Sequence, residues 1–216
     1  MDTTPRTVRK DVLRNRELLL ASADAVIREH GMDLSLNAVA HHAGVGVGTV
    51  YRHFPDRAAL IRAMFEQRVD QVCQIMSSHL KDADPVAGLR GAVFDICQMQ
   101  ATDRGMWEVV SAGGQESHRE IVQTRILPIA GKLVRRANAT GRLRVKFDVN
   151  DLPVLLWTGG ALNSYLGPSA PTAWWRYIQL MFDSFLTDDD PARTAIIQKP
   201  PTIDQVDAAM RSWHLA

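Results

Sequence analysis

Long hydrophobic runs are missing from this chain of 216 residues. No stretch of about 18 apolar residues, the minimum for a membrane-spanning helix, occurs in it. A secretory signal peptide is not indicated either, because no positively charged segment followed by an apolar one opens the chain. We therefore expect a cytoplasmic protein without a membrane partner.

Cysteine is scarce, since only Cys73 and Cys97 occur. Each lies in an apolar pattern of helical period, and the pair fits neither a disulfide framework nor a metal-binding motif. We therefore expect two buried, reduced thiols.

Signals for catalysis are also lacking, because the chain contains no HExxH and no GxSxG motif. His41 and His42 are neighbours on a predicted helix, so their side chains point about 100° apart and cannot both bind one metal ion. We expect no enzyme activity, no metal site and no cofactor.

The net charge is only +1, from 25 Lys and Arg against 24 Asp and Glu. A protein that coats nucleic acid regardless of sequence is usually far more basic, so local clusters of cations must supply any affinity for phosphate. The N-terminal arm holds such a cluster: Arg6, Arg9, Lys10, Arg14 and Arg16. It is either a solvated charged tail or a set of phosphate contacts, and the adjacent motif favours the second.

That motif runs from Leu36 to Phe54, LNAVAHHAGVGVGTVYRHF, and predicts two short helices joined by a tight turn. Val39 and Ala40 give the first helix an apolar face. Gly44 stands where helices most often end in the left-handed conformation, which residues with a Cβ adopt only at a cost. Two helices joined in this way are typical of a DNA-reading helix-turn-helix.

The second helix carries side chains suited to a DNA groove. With Val50 as its anchor, it can direct Thr49, Tyr51, Arg52 and His53 outward. Thr and Tyr offer hydroxyls, Arg a bidentate fork for phosphate or guanine, and His a hydrogen-bonding ring.

Two predicted caps flank the motif. Ser35 is a plausible N-cap of the second helix and Asp56 of the fourth, where Arg57 follows. Both helix starts would place free amides near the phosphate backbone.

Gly44, Gly46 and Gly48 also form a GxGxG string, which raises the alternative of a nucleotide-binding loop. Such a loop follows a β-strand or ends in GK[ST], whereas this string follows a helical pattern and ends in Gly48-Thr49-Val50. The helix-turn-helix is therefore the better interpretation.

Many spaced positions around the motif fall in one register. They are Arg16, Ala21, Ala23, Gly31, Ser35, Val39-Ala40, Ala43-Gly44-Val45, Gly48-Thr49-Val50-Tyr51, His53-Phe54 and Arg57-x-x-Leu60. Over about residues 10–65 the chain resembles the tetracycline-repressor (TetR) family of bacterial transcription regulators. Where that family often has Ser-Lys, this chain has Gly46-Val47, so a base preference cannot be transferred from relatives that carry Ser-Lys.

The resemblance implies repression of transcription from a double-stranded DNA operator. The residues predicted to contact DNA are Arg6, Arg9, Lys10, Ser35, Gly46, Gly48, Thr49, Tyr51, Arg52, His53 and Arg57. Because one such motif contacts few base pairs, we expect a homodimer that reads two half-sites roughly 34 Å apart.

Helical periodicity continues along the chain without convincing period-2 strands, so the predicted fold is all-α. A three-helix helix-turn-helix head (residues 1–55) precedes a helical bundle for effector binding and dimerisation (56–187), then a linker and tail helix (188–216). Thr202 and Gln205 are spaced as a capping box of that tail helix. The predicted helices are about Asp11 to His30, Arg57 to Leu80, 85–101, 104–112, 116–138 with a kink at Pro128, 150–166 and 172–187.

Two further sites are predicted in the bundle. Large apolar side chains with a few polar ones are expected to line a pocket for a small, largely apolar effector. This set is Met99, Met106, Trp107, Val110, Arg125, Ile126, Trp157, Asn163 and Tyr165.

The last two bundle helices, with small residues and a broad apolar face, predict the dimer interface, although core packing within one chain is the alternative. This set is Gly160, Ala161, Ser164, Trp174, Trp175, Ile178 and Phe182.

The residues therefore predict a homodimeric transcription regulator that an effector releases from a palindromic operator. The alternative is a helical small-molecule-binding or protein-interaction module without sequence-specific DNA binding. Such a module does not require an outward Thr-Tyr-Arg-His set beside a basic arm, and this favours the regulator.

Overall fold

The structure is a computed structural model. It describes residues 5–31, 33–102, 116–144, 146–191, 193, 195, 197 and 199–213. Of these, 5–13, 116–118 and 210–213 are described by their backbone alone. Within these ranges the regular secondary structure is helical, apart from an isolated antiparallel β-bridge between Leu143 and Leu186. The all-α prediction is confirmed.

The helices are numbered here in chain order. They are α1 (Pro5–His30), α2 (Leu36–Ala43), α3 (Val47–His53), α4 (Arg57–His79), α5 (Pro85–Thr102), α6 (Glu116–Ile121), a π-helix (Val122–Ile126), α7 (Leu127–Asn138), α8 (Asp151–Leu166), α9 (Ala173–Ser184) and α10 (Ile203–Trp213). Among the residues that the structure describes, no helix is both long enough and apolar enough to cross a bilayer.

Two helix boundaries differ from the sequence prediction. The first helix begins at Pro5 rather than at about Asp11, so the predicted basic arm belongs to α1. The predicted helix over 116–138 is interrupted by the π-helix, in which the N–H of Leu127 donates to the carbonyl of Val122. Pro128 then lies in the first turn of α7, where its missing N–H leaves no helical bond unmade. The predicted helix over 104–112 lies outside the described residues.

Contacts divide the chain into two compact units, and the division falls inside α4 rather than after residue 55. The N-terminal unit extends through Arg68, and the C-terminal unit begins at Val69. The first turns of α4 belong with the N-terminal unit because Leu60, Met64 and Phe65 are buried there.

The N-terminal unit packs an apolar core among α1 to α4. Its buried members are Leu19, Leu20, Ala23, Val26, Ile27, Leu34, Leu36, Val39, Ala40, Val50, Phe54, Leu60, Ile61, Ala63, Met64 and Phe65. A buried ion pair joins α1 to α4, with Nη2 of Arg68 lying 2.8 Å from Oδ1 of Asp24. The guanidinium of Arg16 lies 5.1 Å from the ring centroid of Phe54. These contacts hold the short helices α2 and α3 against a rigid support.

The C-terminal unit is built around α5. Buried residues occur on several sides of this helix, as expected for a helix that is enclosed by its neighbours. It packs against α7, α8 and α9. At the crossing with α8, a Cβ at Gly159 would lie 2.8 Å from Sγ of Cys97. The glycine therefore permits a close helix contact within the chain.

The two thiols differ in environment. Cys97 is buried, and burial raises its pKa to about 12. Cys73 is only partly buried, which corrects the prediction that both are buried, and its Sγ donates a weak hydrogen bond to the carbonyl of Arg125 at 3.7 Å.

His79, the last residue of α4, lies between two carboxylates. Its ring nitrogens are each 2.8 Å from a carboxylate oxygen, one of Asp82 and one of Asp95. A Cβ at Gly91 would lie 2.5 Å from Cε1 of the ring, so the glycine makes room for the imidazole. Burial lowers the pKa of His79, but the hydrogen bonds to the two carboxylates outweigh it, and the pKa stands above its ordinary value.

The protein is therefore expected to lose stability as the pH rises through the pKa of folded His79. The unfolded chain releases this proton near pH 6.5, whereas the folded state holds it longer, so the added stability is fully present below that pH. Urea unfolding of wild type and His79→Gln between about pH 5.5 and about pH 8.5 measures it. The wild-type advantage should shrink with rising pH, and a constant difference would contradict the assignment.

An arginine network holds the segment after α9. Arg142 donates from Nε and Nη2 to the buried carboxylate of Asp190 at 2.7 and 2.6 Å, and from Nη1 to Asp84 at 2.7 Å.

The predicted capping box of α10 is confirmed. The N–H of Thr202 donates to Oε1 of Gln205 at 2.8 Å, and the N–H of Gln205 donates to Oγ1 of Thr202 at 3.3 Å. The tail helix packs on α8.

Candidate functional site

The turn between α2 and α3 has the predicted geometry. Gly44 adopts the left-handed conformation, with φ of 66°. Its N–H donates to the carbonyl of His41 at 3.2 Å, and the N–H of Val45 donates to that of Ala40 at 3.1 Å. This pair of bonds is the Schellman ending of a helix, in which the left-handed residue is usually glycine. Local chemistry therefore ends α2 abruptly and directs the chain into α3.

Side chains fix the starts of the neighbouring helices. Oγ of Ser35 accepts from the N–H of Ala38 at 3.1 Å, and Oδ1 of Asp56 accepts from that of Ala59 at 2.7 Å. Both predicted caps are confirmed. The Nε of Arg57 donates to the carbonyl of Leu34 at 3.0 Å, which ties the start of α4 to the loop before α2. DNA contacts from Ser35 and Arg57 remain predictions.

The recognition helix α3 is anchored on one side and open on the other. Val50 is completely buried, whereas Tyr51 is 50% exposed. Arg52 is exposed as well, and Thr49 and His53 are half-buried. The single buried anchor therefore leaves a hydroxyl-bearing ring and a guanidinium on the outer surface.

Gly46, which precedes α3, and Gly48, the second residue of α3, differ from Gly44 in backbone conformation. Neither Gly46 nor Gly48 has a positive φ, and a Cβ at either position would meet no described atom within 4 Å. Gly48 lies inside the helix, where glycine is less stable than alanine by roughly 0.5–1 kcal/mol. Nothing in the folded chain requires glycine at this position. A glycine would, however, be required if an external surface approached the backbone of α3 closely.

We expect Gly48→Ala to stabilise the protein and to weaken DNA binding. The methyl group should raise the free energy of unfolding by roughly 0.5–1 kcal/mol through the helix propensity of alanine. The same methyl would hold the DNA backbone away from α3. Urea unfolding and a DNA titration measure the two effects, and a stabilised variant with full DNA affinity would refute the close approach.

The predicted basic contacts Arg6, Arg9 and Lys10 belong to the first turns of α1. Their side chains lie outside the described residues, so their contact with phosphate remains a prediction. Tyr51, Arg52, Thr49 and His53 share one short helix and are brought together as predicted.

The C-terminal unit contains a cavity of about 380 Å³. Its described lining residues are Gln98, Ala101, Thr102, Asn163, Gly167, Pro171, Thr172, Trp174 and Trp175. They come from the end of α5, from α8, from the loop after it and from the start of α9. Of the predicted ligand residues, Asn163 is among them.

The other predicted ligand residues lie elsewhere or are not described. Met99 and Ile126 pack against the core, and Arg125 forms an ion pair with Asp70. Trp157 and Tyr165 are 55% and 37% exposed and do not line this cavity. Met106, Trp107 and Val110 lie outside the described residues. Apolar content alone could not separate core, surface and cavity, because all three draw on the same side chains.

The predicted dimer residues also divide. Trp174, Ile178 and Phe182 are buried in the core of the unit itself, which corrects their assignment to an interface. Gly160 is buried too, whereas Ala161 and Trp175 are partly exposed and Ser164 is exposed. The apolar face of α9 therefore packs within its own chain, mainly against α8 and α5.

A different apolar stripe remains on the surface of α8. Val154 is 53% exposed and Trp157 is 55% exposed, and Ala161 and Tyr165 continue the stripe at helical spacing. On the adjacent helix α9, Leu180 is 40% exposed. We call these five residues the exposed stripe. Sequence reasoning had assigned Trp157 and Tyr165 to the ligand pocket.

Comparison with known proteins bears on the N-terminal unit. The sequence pattern of the family described as bacterial regulatory proteins, tetR family, matches residues 19–64. The HTH-type transcriptional regulator SAR0097 of Staphylococcus aureus (strain MRSA252) is 35% identical over 75 residues, which cover 33% of this chain and 39% of that protein. The matched segment thus spans about two fifths of that relative.

Solved structures extend the likeness to most of the chain. The TetR transcription regulatory protein from Mycobacterium vanbaalenii has a TM-score of 0.61 and 26% identity, over 83% of this chain and 99% of that one. SmeT, described as the repressor of the Stenotrophomonas maltophilia multidrug efflux pump SmeDEF, has a TM-score of 0.63 at 21% identity, over 87% of this chain and 97% of that one. The likeness to SmeT shows the fold alone.

The capped helix α2, the Schellman turn that leads into α3 and the outward face of α3 define a helix-turn-helix protein with a helical C-terminal body. Within that class, residues 19–64 match the TetR family of bacterial regulatory proteins, and most of the chain shares the fold of a TetR transcription regulatory protein.

Proposed function

We propose that this protein is a homodimeric transcription regulator that binds a palindromic operator and represses transcription in the cytoplasm. The observation that carries the proposal is the open face of α3, where Tyr51 and Arg52 are exposed beside Gly48. Tyrosine and arginine supply phosphate contacts, and arginine can also read guanine. The match to the TetR family supports the role in transcription regulation. The description of SmeT as a repressor supports repression rather than activation.

The exposed stripe is the proposed dimer interface. A stripe of apolar side chains that includes a tryptophan is unusual on a free surface, and such residues dominate the energy of interfaces. A second copy of the same chain would cover both stripes by two-fold symmetry. The dimer would then present two α3 helices to half-sites about one helical turn apart.

A small molecule bound in the C-terminal unit is the proposed effector. α4 contributes residues to both units, so a shift of α4 is the proposed link between effector and DNA. An effector that moves the dimer from 1% to 99% in the released state must prefer that state by about 5.5 kcal/mol.

The test is selection of DNA from a random duplex library with the purified full-length protein. We expect enrichment of an inverted repeat whose affinity falls with salt, because phosphate contacts release counterions. Arg52→Ala should lose the enrichment. A library that yields no shared sequence, with or without small molecules added, would contradict a sequence-specific regulator.

A further inference from the structure

The cavity of the C-terminal unit has an aromatic floor. Trp174 is 3% exposed and Trp175 is half-buried. Their ring centroids lie 5.3 Å apart at an interplanar angle of 58°. Because Trp174 is almost completely buried, Trp175 is the indole that offers more surface to a ligand, and aromatic rings prefer stacked or edge-to-face partners. A planar aromatic ligand therefore fits the floor better than an aliphatic one.

Polar side chains surround that floor, namely Gln98, Thr102, Asn163 and Thr172. The hydroxyl of Thr102 already donates to backbone carbonyls of its own helix, at 3.0 Å to that of Met99. Its oxygen lone pairs are thus the part that can serve a ligand. Nδ2 of Asn163 points to the carbonyl of Ala101 at 3.4 Å, which leaves Oδ1 as its acceptor. Each side chain therefore offers an oxygen acceptor to a ligand that donates hydrogen bonds, and Asn163 keeps its second N–H as a donor.

The uncharged lining and the volume of the cavity narrow the class of ligand further. None of the described lining residues is ionisable, so a charged ligand would find no counter-charge there and would lose its hydration. The volume of about 380 Å³ lies within the range of roughly 300–1,000 Å³ that is typical of small-molecule sites.

We propose that this cavity binds a neutral, planar aromatic molecule that donates hydrogen bonds through a hydroxyl or N–H group. The ligand packs against the indole of Trp175, beside the buried Trp174, and donates hydrogen bonds to Asn163 and Thr102. This narrows the small, largely apolar effector expected from the sequence to one chemical class. Only the consequence for DNA rests on the proposed function, because binding to the cavity can be measured without DNA.

Three probes with the same two-ring skeleton test the ligand class on the full-length protein. They are 2-naphthol, 2-methylnaphthalene and 2-naphthoate, measured calorimetrically by injecting protein into dilute probe. We expect 2-naphthol to bind at least about tenfold more tightly than each of the others, because polar groups left unpaired penalise the methyl analogue. Equal or tighter binding of 2-methylnaphthalene or 2-naphthoate would overturn the proposal, as would failure of all three to bind.

Matched variants locate the site. Asn163→Leu and Thr102→Val should each weaken 2-naphthol about tenfold and leave 2-methylnaphthalene no weaker. Thr124→Val is the control, because its hydroxyl also donates to its own helix, to the carbonyl of Glu120 at 2.8 Å, but does not line the cavity. Unchanged 2-naphthol affinity in both cavity variants would overturn the site.

The effect of 2-naphthol on DNA affinity is measured separately, with the selected operator duplex. If 2-naphthol binds the cavity and operator affinity falls, the cavity is the effector site of the proposed function. If it binds and operator affinity does not change, the effector switch is refuted while the ligand assignment stands.

Discussion

Arg52→Ala is expected to lower the affinity of the protein for its selected operator by at least about thirtyfold. One contact of arginine with guanine or phosphate contributes roughly 1–3 kcal/mol, and a dimer loses two of them. The exposed position of Arg52 on α3 means that its removal leaves the core intact. Circular dichroism and urea unfolding should therefore match wild type.

The salt dependence of the same variant distinguishes two modes of contact. If Arg52 binds phosphate, the slope of log affinity against log salt falls by about 2 for the dimer. If it reads a base, the slope changes little and specificity relaxes at one position of each half-site. Tyr51→Ala should weaken binding through loss of its phenol. Arg135→Ala removes the same charge from the exposed surface of α7 and should retain full affinity.

Wild-type affinity in both Arg52→Ala and Tyr51→Ala would mean that α3 is not the DNA-reading surface. The same result in one of them alone would assign the contact to the other residue.

Trp157→Glu is expected to convert the proposed dimer into monomers at concentrations where we expect wild type to be dimeric. Its side chain is 55% exposed within one chain. A symmetric interface would bury two such indoles, and tryptophan is enriched among the residues that carry most of the binding energy of interfaces. A buried, unpaired glutamate adds a desolvation penalty. We expect the dimer dissociation constant to rise at least about a hundredfold, measured by sedimentation equilibrium over a dilution series.

Two further variants make this result specific. Leu180→Glu tests the stripe from the neighbouring helix α9 and should act in the same direction. Ile197→Glu introduces the same charge at a residue that is 80% exposed and lies outside the stripe, and it should leave the dimer intact. A dimer of wild-type strength in both Trp157→Glu and Leu180→Glu would place the interface elsewhere.

Features that depend on neighbouring residues could be predicted from the sequence. Ser35 caps α2, Asp56 precedes α4, and Thr202 with Gln205 closes the start of α10, in each case over an interval of three residues. The left-handed Gly44 follows from the same local chemistry. A cap or a turn brings its own hydrogen-bond partners within one turn of helix, so its sequence signature is nearly complete.

The partner of an apolar face depends on the tertiary structure. Trp174, Ile178 and Phe182 recur at helical spacing, which predicts burial but does not say whether the same chain or a second copy provides it. In the folded unit they face inward, and Trp157 is left on the surface instead.

The helix-turn-helix and its caps could be predicted from the sequence, because they depend on local hydrogen bonds and on closely spaced residues. Packing of the folded chain selects which apolar residues form the core, which remain exposed on α8 and α9, and where the cavity lies. Burial is a property of the packed chain, since hydrophobic attraction has no direction and residues distant in sequence compete to satisfy it.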